Sequence, residues 1–145
     1  MLPAFYDGEF LPDGEHPATW VEVVQRFGGN ALRKNFCERL ITFLQRAKRC
    51  GFLRVYLFGS FISAKVDPGD VDLMWIHKQD LNYDLLSRDC HELVETSELK
   101  QRTGWDMFCC SDNPTVINEF MAIWRKDKGP GRRPRGVIIL DLEHL

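Results

Sequence analysis

Apolar residues recur at helical spacing between positions 31 and 50: Leu32, Phe36, Leu40, Phe43, Leu44 and Ala47. Arg33, Lys34, Glu38, Arg39, Gln45 and Lys48 take the other positions, so the pattern predicts an amphipathic helix with its apolar stripe on the core. Gly28 and Gly29 precede it as a stop for whatever comes before, and Asn30 is placed to cap it. The stretch "TWVE" sets Thr19 three residues ahead of Glu22, a capping-box spacing that opens a short helix running to about Phe27.

The period changes after Gly51. Residues 53–58 and 71–76 are short apolar runs that read as strands. Tyr83 to about Lys100 reads as helix, with a break near Thr96 and Ser97, and "GWDMFCC" (104–110) as a third strand. Asn113 and Pro114 open a helix over about 114–126, and "GVIILDL" (136–142) is a last strand. Residues 1–18 carry Pro3, Pro12 and Pro17 with Gly8 and Gly14, and read as an extended arm with turns. Leu2, Phe5, Phe10 and Leu11 are apolar, so the arm is expected to lie on the single domain formed by 19–145. The order of elements predicts a mixed α/β (α+β) domain, a small mixed β-sheet with helices packed on it.

Composition narrows the setting. A chain of 145 residues that is 44% hydrophobic and 28% charged is ordinary for a globular domain with one core. No apolar run approaches the ~20 residues of a membrane span, and "MLPAFYDGEF" lacks the basic and apolar regions of a secretory signal. A cytoplasmic protein is the expectation. Five cysteines (Cys37, Cys50, Cys90, Cys109, Cys110) are odd in number, lack paired zinc-ligand spacing, and are expected to be reduced. Cys109 and Cys110 are adjacent, but nothing around them is arranged as a redox pair.

Charge is unevenly spread. Residues 125–135, "RKDKGPGRRPR", hold six basic side chains and one acid, a local +5 that leaves −7 on the remainder of a −2 chain. An acidic body disfavours general nucleic-acid binding, whereas a basic segment can still grip phosphates.

The chemistry concentrates in "VYLFGSFISAKVDPGDVDLMWI" (55–76). A strand that stops at Gly59–Ser60 presents backbone N–H groups at the turn, suited to phosphate. Nine residues later Asp70 and Asp72 stand one residue apart, hence on one face of a strand. Like charges beside a core are costly unless a cation compensates them, and paired carboxylates suit Mg²⁺. Asp106 in "WDMF" is a third acid in a strand-like segment; on a strand beside 71–76 it would complete a triad able to hold two Mg²⁺ ions about 3.5–4 Å apart. Asp106 is also placed to take a proton from an acceptor hydroxyl.

These residues resemble the nucleotidyltransferase fold, the superfamily of DNA polymerase beta, whose pattern is Gly-Ser, a spacer, Asp-x-Asp, then a third acid on a nearby strand. The spacer is one residue shorter than is frequent in minimal members. More closely, the chain resembles a group of short, largely uncharacterised bacterial nucleotidyltransferase-like proteins over nearly its whole length, from "LPAF" and "LPDGEHPATW" to "RRPRGVIILDL". The resemblance implies a minimal nucleotidyltransferase fold, contacts from Gly59 and Ser60 to a triphosphate, and metal binding and catalysis by Asp70, Asp72 and Asp106.

The remaining candidates carry two readings each. Lys65 either neutralises phosphate or is a solvated loop lysine; Arg132, Arg133 and Arg135 either reach a triphosphate or RNA, or lie in a solvated loop. His16, His77, His91 and His144 show no ligand spacing, and Asp112 reads as a helix-start residue. Trp20, Trp75, Trp105 and Trp124 read as packing, and any one could stack on a base.

The expected function is Mg²⁺-dependent transfer of a nucleoside monophosphate from an NTP, such as ATP, to a hydroxyl of a macromolecular acceptor. In a chain this short, no second domain that could enclose a large substrate is expected. A protein partner or a tRNA acceptor is therefore expected, in the setting of a toxin–antitoxin or phage-defence pair and with no membrane partner. The alternative is a non-catalytic nucleotide-binding or antitoxin module acting through protein–protein binding. A metal-dependent phosphohydrolase is weaker, because it leaves the Gly-Ser turn unexplained.

Overall fold

A computed structural model of the protein describes residues 1–124 and 135–145. In chain order the elements are β1 (Glu15–Ala18), α1 (Trp20–Phe27), α2 (Ala31–Arg49), β2 (Arg54–Phe58), β3 (Asp72–His77), α3 (Arg88–Val94), α4 (Ser97–Thr103), β4 (Met107–Ser111), α5 (Pro114–Trp124) and β5 (Val137–Asp141). Single 3₁₀ turns occupy Ser60–Ile62, Tyr83–Leu85 and Leu142–His144. The fold is the small mixed α+β domain that the patterning predicts.

The sheet order is β1-β5-β2-β3-β4, with β2 antiparallel to both β5 and β3, and parallel pairs at β1–β5 and β3–β4. Strand alternation divides the core. Val55 and Leu57 of β2, Leu73 and Trp75 of β3, Met107 of β4 and Leu140 of β5 face α1–α4. Tyr56, Phe58, Met74, Ile76 and Cys110 face α5, meeting Ile117 and Met121. Full burial of an aliphatic or aromatic side chain contributes about 1.5–3 kcal/mol relative to exposure, so these two layers supply the main drive to fold.

Local signals place the helices well. The α1 capping box forms, with the Glu22 amide donating to Thr19 Oγ1 (3.2 Å) and the Thr19 amide donating to Glu22 Oε1 (3.4 Å). Asn30 Oδ1 accepts from the Arg33 amide at 2.8 Å and starts α2. The buried stripe of α2 differs from the expected one. Leu32 is 40% exposed and Arg33 only 6%, so the stripe runs through Arg33, Phe36, Cys37, Leu40, Leu44 and Ala47. Hydrogen bonds from the Arg33 guanidinium to backbone carbonyls offset its burial.

The predicted helix over 83–100 is two short helices. Asn82 caps the turn at Tyr83–Leu85, Ser87 caps α3, and the chain breaks again at Glu95–Thr96 before α4. Gly104, at φ +73°, ends α4, so the third strand starts at Met107 and not at 104. Within the arm, residues 15–18 form β1 on the edge of the sheet, where Pro17 is tolerated. Leu2 and Leu11 are buried in the main core.

The cysteines depart from the expected reduced state. Cys50, at the C-cap of α2, is disulfide-bonded to Cys90 of α3, with the two Cα atoms 5.6 Å apart. Tertiary packing alone brings them together across a separation of 40 residues. Disulfides are rare in reducing compartments, so cysteine usage no longer argues for the cytoplasm. Cys37, Cys109 and Cys110 are free, and burial pushes the Cys109 thiol up to about 12, far from a reactive thiolate. No described helix is long and apolar enough to cross a membrane.

Candidate metal and phosphate site

Three carboxylates converge where β2 ends and β3 and β4 begin. In register, Phe58 of β2 pairs with Asp72, and Leu73 of β3 pairs with Met107 of β4. The Leu73 amide donates to Asp106 O at 2.9 Å, so the parallel pairing carries Asp106 alongside Asp72. Alternation then sets the side for Asp72, in phase with Met74 and Ile76, and for Asp106, in phase with Phe108 and Cys110, while Asp70 meets them from the loop that precedes β3. One carboxylate oxygen from each of Asp70, Asp72 and Asp106 lies within 4.8 Å of the other two. Asp70 and Asp72 are half-buried and Asp106 is exposed.

This donor set fits a hard divalent cation: three anionic oxygen ligands, reachable from solvent, and no competing nitrogen or sulfur. Burial, and after it the Asp106 charge, pushes the Asp70 carboxyl above its ordinary range, with Lys65 opposing. A cation between them would reverse that pressure.

Gly59 closes the site on the β2 side. Its φ of +80° is a backbone state that L side chains rarely adopt, and a Cβ built there would come within 2.9 Å of Asp72 Cγ. The strand can turn against the carboxylate only with no side chain present. Ser60 follows on the 3₁₀ turn, and its carbonyl accepts from Ser63 Oγ at 2.6 Å. Phe58, Gly59, Ser60 and Asp72 line a cavity of about 210 Å³ together with Phe10 of the arm, Trp124 at the end of α5, and Arg135. The Arg135 guanidinium lies 3.9 Å above the Phe10 ring centroid, held by cation–π attraction.

Of the residues singled out from sequence, the structure gathers Gly59, Ser60, Asp70, Asp72, Asp106 and Arg135 in this region. The Lys65 side chain is exposed, and its charge acts on Asp70. Arg132 and Arg133 lie outside the described residues. Trp75 and Trp105 are core residues at 0% and 1% exposure, Trp20 packs against the core, and Trp124 lines the cavity. Asp112 is ion-paired with Arg54 at 2.6 Å and belongs to a different end of the sheet. Asp141, Glu143 and His144 also cluster, all three exposed, and Asp141 Oδ1 is engaged by the Glu143 amide as the cap of the last turn. Sequence reading missed Phe10, which lines the cavity; it looked like one more anchor of the arm, and no local pattern separates it from such an anchor.

The fold and site define a small α+β domain with a three-carboxylate centre beside a glycine turn. The chain belongs to the family described as Family of unknown function (DUF6932), which matches residues 3–141 and so takes in the arm, the turn and all three acids. No curated protein and no solved structure matches the chain.

Proposed function

We propose that this protein is a metal-dependent nucleotidyltransferase that moves a nucleoside monophosphate from an NTP to a hydroxyl on a macromolecular acceptor, a partner protein or a tRNA. The observation that carries the reading is the convergence of Asp70, Asp72 and Asp106 within 4.8 Å, beside a turn that Asp72 itself requires to be glycine. Divalent cations, Mg²⁺ by the hardness of the ligands, would supply charge neutralisation at the phosphates and acidify the acceptor hydroxyl.

The chain's own groups do the rest. Asp70, Asp72 and Asp106 would hold the cations. The Gly59–Ser60 turn offers amide and hydroxyl donors to the triphosphate. Lys65 and Arg135 neutralise phosphate charge, and Trp124 and Phe10 offer aromatic faces next to it. In the transfer, the acceptor oxygen bonds to the α-phosphorus, the bond to the leaving pyrophosphate breaks, and Asp106, the most exposed acid, takes the hydroxyl proton.

The test incubates the protein with each labelled NTP, Mg²⁺, total tRNA and the protein encoded by the adjacent gene. Label is expected on one acceptor and lost in Asp72→Ala. Labelling that survives Asp70→Ala combined with Asp72→Ala overturns the assignment. Wild type that binds NTP–Mg²⁺ and labels nothing is a binding module.

A further inference from the structure

The Arg33 guanidinium of α2 is a buried cation. Arg33 Nη1 donates to Phe27 O (3.1 Å) and Phe61 O (2.7 Å), Nη2 donates to Ser63 O (2.9 Å) and to Lys65 O, and Nε donates to Lys65 O (3.2 Å). Four carbonyls, three of them alternating along one loop, are met by one planar fork. Among the described residues its charge is answered by carbonyl oxygens and not by a carboxylate. One turn earlier, Asn30 Nδ2 donates to Val66 O at 2.8 Å. From the opposite side the arm holds the same loop, through Ala64 N to Glu9 O (2.8 Å) and a bridge between Phe10 and Ser63.

That loop joins Ser60 to Asp70. Asp72 is held by its pairing with Phe58 of β2, and Asp106 by the Leu73 amide, whereas Asp70 precedes β3 and depends on the path of the loop. Lys65, whose charge acts on Asp70, takes its backbone position from Arg33 directly. We propose that Arg33 is a positioning residue for the metal site: it fixes the loop so that Asp70 and Lys65 face Asp72 and Asp106. This inference rests on the reading of the triad as a metal site. Lysine cannot replace it, because a single ammonium presents three donors from one point where a guanidinium spreads five across a plane.

The test uses Mn²⁺ as the probe, its free concentration read by electron paramagnetic resonance, and hydrogen exchange by mass spectrometry on the same samples. Wild type, Arg33→Lys and Arg33→Met are compared, with Arg39→Lys on the same helix as control. Folding is checked by circular dichroism and by fluorescence of the buried Trp75 and Trp105. In a folded Arg33 variant, exchange is expected to rise over residues 61–66 and stay unchanged over β2 and β3. The Mn²⁺ dissociation constant is expected to rise by about 10- to 100-fold, the usual cost of losing an outer support of a metal ligand. A folded variant that binds Mn²⁺ as wild type does, or keeps the loop protected, overturns the role of Arg33. Failure of wild type itself to bind Mn²⁺ overturns the metal-site reading, and this inference with it. If neither variant folds, Arg33 supports the whole domain and the inference is overturned.

Discussion

Replacing Asp70 by asparagine should stabilise the metal-free protein and weaken its response to metal. Oxygens of the three carboxylates lie within 4.8 Å of one another. Two unit charges at that separation repel by about 0.9 kcal/mol in a water-like dielectric and about 3.5 kcal/mol at an effective value of 20. Because Asp106 is exposed and Lys65 partly offsets the charge on Asp70, the lower figure governs. Asp70→Asn should therefore gain about 1 kcal/mol at pH 7 and low salt, or about 3 °C in melting temperature for a chain of this size.

The pH dependence carries a definite sign. Burial and Asp106 hold the Asp70 carboxyl above its ordinary value of 3.8 in the folded state. Between that value and the raised one, the folded protein binds more protons than the unfolded chain, so stability falls as pH rises through the window. The advantage of Asp70→Asn is thus absent below 3.8 and complete above the raised value. With metal the order reverses. A cation present at one hundred times its dissociation constant adds about 2.7 kcal/mol to wild type, and the variant, lacking one ligand charge, gains less. Thermal melts followed by circular dichroism, in EDTA and then in Mg²⁺ or Mn²⁺ between pH 4 and 8, read both effects. A variant that melts below wild type in EDTA at pH 7, or gains as much from metal, refutes the reasoning.

Two further outcomes follow from the geometry. Gly59→Ala combines a left-handed backbone, costing an L residue about 1–2 kcal/mol, with a clash against Asp72; urea melts should show at least that loss, together with a blunted metal response. Opening the Cys50–Cys90 bridge, by reduction or Cys50→Ser, frees a loop whose ends are 40 residues apart, about 4 kcal/mol in the chain-entropy model. Thiol titration of the unfolded, unreduced chain should count three free thiols, and a count of five would remove the bridge.

Much of this protein is written in short-range pattern. The Thr19 and Asn30 caps, the apolar spacing of α2 and the runs of β2 and β3 each depend on residues within a turn or two, and these elements form where the pattern puts them. Strand alternation likewise sets Asp72 on the face of Met74 and Ile76, whereas Asp70, ahead of β3, reaches that side through the loop. What adds Asp106 to that face is the register of β4 on β3, a pairing across more than thirty residues that no local period encodes. The same holds for Cys50 meeting Cys90, for Trp124 and not another tryptophan lining the cavity, and for β1 joining the edge of the sheet beside β5. Arg33 shows the difference most directly. Amphipathic spacing assigns a cation to the surface because an unpaired buried charge is too costly, and only the folded chain delivers the four carbonyls that remove the cost. Local chemistry chose the elements and the acids; packing decided which of them meet.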